Sequence, residues 1–277
     1  MATLKELREQ IDQTDAELVS LLNHRAELVL EVKKAKEKEK ADIYSPERER
    51  LILERVRKLS ADGPFPPSAL ERIFTNIISA TRSLIGEITV CYLGADPSLA
   101  RDAAVHQFGE TVRFCSELRI DALLEMLVCG EVHYGVLPER ALGAGLLPAG
   151  FTKLMRSSLV IIAEVEVNPG VDAEERFLVL GHKMPAQTGR DKTSLVCAAS
   201  ERAGALRDLL QPFASRGINL LRIESKLLQT SSWDYLFFID LEGYCDDPEV
   251  KAAIEELHAL SVELKVLGSY PIYAVKL

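Results

Sequence analysis

An arginine interrupts a leucine seam. From Leu4 onward, apolar residues recur three and four apart: Leu4, Leu7, Ile11, Leu18, Leu21, then Leu28, Val32 and Ala35. Arg25 occupies the place between Leu21 and Leu28 where the next apolar side chain is due. This spacing predicts one helix from about Thr3 to Lys40, roughly ten turns long, with a stripe that needs a partner along most of its length. A permanent charge on a seam meant for burial is costly unless an anion meets it. Arg25 is therefore either half of a structural ion pair or one wall of an anion pocket.

The rest of the first segment is helical too. Ser45-Pro46 reads as an N-cap followed by proline at the first helical position, opening a second helix to about Ser60. Ala61-Asp62-Gly63-Pro64-Phe65-Pro66-Pro67 breaks the pattern. A third helix, Ser68 to about Ile85, has Leu70, Ile73, Phe74, Ile77, Ile78, Thr81 and Ile85 on its apolar side. Two shorter helices cannot cover the long stripe, whereas a homodimer wrapping two first helices together would.

Texture changes twice further on. Residues 87–189 alternate short strands with helices: strands Ile88–Leu93, Thr111–Cys115, His133–Leu137, Leu159–Val167 and Arg176–Leu180, helices Leu99–Phe108 and Ile120–Cys129. That pattern predicts a small open α/β sheet. Residues 190–277 read β-α-β-β-α-β, the ferredoxin-like order. The fold class is thus multidomain: an all-α three-helix domain (1–86), a small α/β single lobe (87–189) and an α+β ferredoxin-like domain (190–277).

Composition narrows the function classes. The net charge of −9 disfavours nonspecific nucleic-acid binding, although cations concentrate between Arg25 and Lys40. No apolar run reaches membrane-span length, and the start does not read as a signal peptide. Five scattered cysteines without a CxxC pair read as reduced thiols of a cytoplasmic protein, with no metal site or cofactor implied.

The cations suit a small dianion. Lys36 lies eleven residues after Arg25, within about 20° of the same helix direction and about 16 Å along the axis. Arg8 points roughly 100° away and reaches such a pocket only from a partner chain. Arg48 can fork to a carboxylate, and Glu49 can accept from a ligand hydroxyl. Taken singly, each has an ordinary alternative: Lys36 sits in a charge run that reads as a solvated face, and Arg48-Glu49 is common helix surface.

Together these residues match a known pattern. Leu7-Arg8-Glu9-Gln10-Ile11-Asp12, Leu21-Leu22-Asn23-His24-Arg25, Val32-Lys33-Lys34-Ala35-Lys36 and Tyr44-Ser45-Pro46-Glu47-Arg48-Glu49 resemble the all-helical chorismate mutase family, without a gap from Arg8 to Glu49. The resemblance implies that chorismate is the substrate and that Arg8 of the partner chain, Arg25 and Arg48 hold its carboxylates. It further implies that Lys36 donates to the breaking ether oxygen, that Glu49 accepts from the ring hydroxyl, and that Ser45 and Thr81 line the pocket. Ile85 stands where the family usually carries Gln or Glu as a second ether-oxygen contact, and Ser45 where some relatives carry Asp.

Residues 88–182 resemble a shortened prephenate dehydratase domain through Val90-Cys91-Tyr92-Leu93-Gly94, Tyr134-Gly135-Val136-Leu137-Pro138-Glu139 and Arg176-Phe177-Leu178-Val179-Leu180-Gly181. Glu175 stands where that family has a catalytic threonine, and its second lobe, expected between about Val167 and Arg176, is absent. These departures from the family imply a spacer or packing module without dehydratase activity. Residues 190–277 resemble an ACT domain. Gly204, Ala205 and Leu206 fit its ligand-holding turn, and Glu224 and Ser225 its Glu-Ser stretch, so phenylalanine is the implied effector. Lys226-Leu227 depart from that stretch, whereas Trp233-Asp234-Tyr235-Leu236 fits; a dimerising ferredoxin-like domain with no ligand is the alternative. Two functional readings follow: a dimeric chorismate mutase of phenylalanine biosynthesis, or a non-catalytic regulator of that route binding phenylalanine or a partner enzyme.

Overall fold

The computed structural model describes residues 2–39, 44–143, 154–167, 175–199, 202–227 and 235–272. Contacts divide the chain into two units. One holds the helical segment to residue 88 (apart from Pro46–Arg48) together with Phe108–Val112; the other holds the remainder.

The helical unit follows the predicted order: α1 (Leu4–Glu39), α2 (Pro46–Ser60) and α3 (Pro67–Ser83). A reciprocal cap opens α1: the Thr3 amide donates to Glu6 Oε2 at 2.7 Å, and the Glu6 amide donates to Thr3 Oγ1 at 3.3 Å. Pro46 begins α2 as expected, but the Ser45 side chain makes no capping bond. Instead the Ser45 carbonyl accepts from the Glu49 amide at 3.0 Å. Arg57 forks onto Glu71 and ties α2 to α3. The stripe of α1 is uncovered within one chain, with Leu7, Ile11, Leu18 and Leu21 at 46, 59, 51 and 65% exposure.

The helical unit also contains a piece that was not foreseen. Phe108–Val112, read from sequence as part of the α/β domain, packs against α3. Ser79 and Thr111 hydroxyls bond at 2.6 Å, and the Glu110 amide donates to Asn76 Oδ1 at 3.4 Å. Gly109, at φ +72°, permits the approach, since a Cβ there would stand 2.7 Å from Ser79 Oγ and 3.2 Å from the Thr75 carbonyl oxygen.

The second unit contains two sheets. The first, β1 (Thr89–Leu93), β2 (Arg113–Glu117), β3 (Tyr134–Pro138), β4 (Val160–Val167) and β5 (Glu175–Gly181), has the order β2-β1-β3-β5-β4. Helices α4 (Leu99–Phe108), α5 (Ile120–Val128) and the short α6 (Glu139–Gly143) interleave with them. Only β1–β2 and β1–β3 are parallel. β3–β5 and β4–β5 are antiparallel, so the predicted α/β sheet carries an antiparallel hairpin on one side. Val167 pairs with Glu175, and the connection between them, residues 168–174, is too short for a lobe.

The second sheet comprises β6 (Asp191–Ala199), β7 (Leu220–Leu227), β8 (Tyr235–Glu242) and β9 (Glu263–Pro271), with α7 (Ala205–Ser215) and α8 (Pro248–Leu260). Its all-antiparallel order β7-β8-β6-β9 is ferredoxin-like. Every residue of β6 is buried, because both faces are covered. Leu195 and Cys197 pack with Leu209, Phe213 and Leu257 of the helices, while Val196 and Ala198 join a core with Leu123, Leu124 and Leu127 of α5.

Candidate functional site

Three helices bring three of the expected residues together. Arg25 on α1 is half-buried and donates from Nη1 to Thr81 Oγ1 on α3 at 2.5 Å. The Thr81 hydroxyl has its own anchor in the preceding turn, donating to the Ile77 carbonyl at 2.8 Å. Burial lowers the Arg25 pKa, and the nearby Glu49 carboxylate in the first turn of α2 opposes that shift. A desolvated guanidinium fixed by one neutral acceptor and facing one carboxylate retains donors for an anion.

Glu49 is also engaged by a residue that sequence reasoning passed over. Arg82 of α3, 5% exposed, pairs through Nη1 with Glu49 Oε1. Its Nη2 donates to the Phe108 carbonyl at 2.5 Å, and its Cζ lies 5.1 Å from the Tyr44 ring centroid and 5.9 Å from that of Phe108. A usable signal existed: Phe74, Ile78 and Arg82 are spaced four apart, so Arg82 breaks an apolar helix row as Arg25 does.

The other expected residues are not assembled with these. Arg8 is exposed and lies seventeen residues before Arg25, about 26 Å along the axis. Arg48 is exposed at the start of α2, and Ser45 is half-buried beside it. Lys36 lies on α1, but its side chain is outside the described residues. Ile85 is half-buried beyond the end of α3, in a turn where Leu84 and Ile85 amides bond back to Thr81 and Arg82 carbonyls.

In the ferredoxin-like domain a pocket of about 480 Å³ opens at the start of α7 and is lined by Ala205, Leu206, Ser225, Arg202 and Tyr235. Gly204, at φ +83°, precedes the helix in the left-handed conformation that glycine accepts readily. Asp208 stays below its ordinary carboxyl range because Arg207 and Arg202 donate to it. Glu224, expected beside Ser225, is on the other face of β7, where it pairs with Arg222 at 2.5 Å and lines a separate small cavity with Glu139 and Asp240. Strand alternation explains the separation. Trp233 and Asp234 lie outside the described residues. Glu175, at the position compared with a catalytic threonine, is paired with Arg140. Among the described residues, no His, Cys, Asp or Glu cluster could hold a metal ion, and no helix is long and apolar enough to cross a membrane.

Comparison with known proteins gives two family matches and several similar chains. Residues 7–85 match the chorismate mutase type II family and residues 193–259 the ACT domain family. The bifunctional chorismate mutase/prephenate dehydratase of Aquifex aeolicus (strain VF5) is 30% identical, with 98% of each chain covered. That of Stutzerimonas stutzeri is 28% identical, with 97% of each covered. The Aquifex alignment runs over 358 positions while this chain has 277 residues, so at least 81 positions face a gap here. The solved prephenate dehydratase of Streptococcus mutans is 29% identical, with a TM-score of 0.56, 67% of this chain and 99% of that one covered. From its helical first domain to its ACT domain, this chain belongs to the bifunctional chorismate mutase/prephenate dehydratase family.

Proposed function

We propose that this protein is a chorismate mutase that has lost the dehydratase half of its family's chemistry. The observation that carries the reading is Arg25, a seam arginine held by Thr81 beside Glu49 within the matched mutase domain. The reaction is an intramolecular Claisen rearrangement: the ether C–O bond breaks as a C–C bond forms, with no net proton transfer. Such a step gains from holding the enolpyruvyl arm over the ring and from stabilising charge on the ether oxygen. In this reading Arg25, Arg48 and the partner's Arg8 grip the two carboxylates, Lys36 donates to the ether oxygen, Glu49 accepts from the ring hydroxyl, and Ser45 and Thr81 complete the wall.

The exposed stripe of α1 supports a homodimer, since a contiguous apolar face of this length marks a partner surface. A second copy would also bring Arg8 to the pocket. Against dehydratase activity stand the seven-residue link between β4 and β5 and Glu175 committed to Arg140. The pocket at Ala205, Leu206 and Ser225 is assigned to phenylalanine as effector, in a cytoplasmic protein of three inherited modules, 1–86, 87–189 and 190–277.

The test is to incubate the purified chain with chorismate and follow its loss, then to supply prephenate at neutral pH and look for phenylpyruvate. Chorismate loss without phenylpyruvate is the expected result. A chain that leaves chorismate untouched sinks the mutase reading and favours the non-catalytic regulator; phenylpyruvate formation overturns the loss of dehydratase activity. Sedimentation should give a dimer, and a monomer would remove Arg8 from the site.

A further inference from the structure

We infer that Arg82 is a positioning residue of the mutase pocket, fixing the Glu49 carboxylate for the ring hydroxyl of the ligand; this rests on the mutase reading above. Arg82 acts through Glu49 and need not touch the ligand itself.

Geometry gives three reasons. First, the guanidinium is clamped from several sides: Nη1 on Glu49, Nη2 on the Phe108 carbonyl, and the Tyr44 and Phe108 rings at 5.1 and 5.9 Å. Those rings lie 5.0 Å apart, centroid to centroid, so the clamp itself is packed. A carboxylate on a clamped partner loses little freedom when a ligand arrives. Second, pairing at one oxygen does not exhaust Glu49, because an ionised carboxylate offers about four acceptor sites. Third, the arrangement is poor as a purely structural device. Arg82 Nε is buried without a partner, and a buried ion pair can often be replaced by apolar residues of similar volume without loss of stability. An arginine with an orphan donor, on a helix row otherwise made of Phe74 and Ile78, is better explained by what it does to Glu49.

The anchor on Phe108 adds a consequence. The orientation of Glu49 depends on a backbone carbonyl twenty-six residues downstream of Arg82, in the segment fixed to α3 by Ser79–Thr111 and by the close approach at Gly109. Truncating the chain after the mutase match at residue 85 would therefore remove a support of the site.

The experiment uses the full chain and two substrates, chorismate and its analogue lacking the ring hydroxyl. Arg82→Met should lower kcat/KM for chorismate by about thirtyfold or more and for the deoxy analogue by less than about threefold, as Glu49→Gln should. The double variant should be no worse than Glu49→Gln alone. Equal losses on both substrates, or multiplying losses in the double variant, would show a merely structural arginine and overturn the proposal. If Arg82→Met does not fold, Arg82→Lys carries the same comparison, since a single ammonium cannot span Glu49 and the Phe108 carbonyl as the fork does. If wild type binds both dianions without turnover, the mutase reading fails while calorimetric Kd values make the same comparison. A wild type that binds neither overturns both.

Discussion

Thr81→Val isolates the contact that, in the proposed mutase, makes Arg25 a pocket wall. Valine keeps the shape and the β-branch of threonine and removes only the hydroxyl. In the wild type that hydroxyl accepts from Arg25 at 2.5 Å and donates to the Ile77 carbonyl at 2.8 Å. The second bond is expendable, because the carbonyl belongs to a helix. The first is charge-assisted, a class worth about 1.5–3 kcal/mol. Arg25 is half-buried, so water replaces part of the lost acceptor and the lower figure applies. About 1.5 kcal/mol of lost positioning corresponds to roughly a tenfold fall in kcat/KM for chorismate. Thr81→Ser keeps the acceptor and should stay within about threefold of wild type. Steady-state loss of chorismate gives the numbers, and circular dichroism of each variant shows whether the helices survive. A folded Thr81→Val with wild-type kcat/KM would mean that the Thr81 bond does not position Arg25 for ligand, and the structural alternative for Arg25 would stand.

Three further outcomes are expected. A Cβ at Gly268 would stand 2.9 Å from the Ile161 nitrogen and 3.0 Å from its carbonyl carbon, where β9 crosses β4, so Gly268→Ala should cost about 3 kcal/mol and lower Tm by about 6–12 °C. Gly189→Ala, at φ +84° with nothing within 4 Å, should cost only about 1 kcal/mol, and similar losses at both sites would refute the crossing argument. Burial brings the Lys265 pKa down from 10.5 to about 8 while its ammonium donates to the Leu154 and Ser157 carbonyls. Between those values the unfolded chain binds more protons, so this lysine makes stability rise with pH there, and the Tm of wild type minus that of Lys265→Met should grow across that window. A difference independent of pH would show that the lysine titrates normally. Ile85→Gln should raise kcat about tenfold or more by restoring an ether-oxygen donor. An unchanged rate would mean that the tightened turn after α3 holds position 85 away from the pocket.

Periodicity carried most of the architecture. Helix α4 begins and ends where its pattern says, because Pro97 and Gly109 bound it. What periodicity lacks is distance. Phe108–Val112 reads locally as the end of one helix and the start of a strand, and only the tertiary pairing of Ser79 with Thr111 makes it part of the helical unit. The antiparallel hairpin β4–β5 was likewise open, since apolar runs in buried strands do not encode direction. In the ferredoxin-like domain Glu224 and Ser225 are neighbours in a motif, but strand alternation sends them to opposite faces and so to different cavities. The helical site shows the converse. Arg25 is legible because it breaks an apolar row; Arg82 breaks the Phe74–Ile78 row in the same way but lies in none of the motifs that carry the family resemblance. Two seam arginines on different helices, one bonded to Thr81 and one to Glu49, show that charge placed against the hydrophobic pattern is a signal independent of the motif.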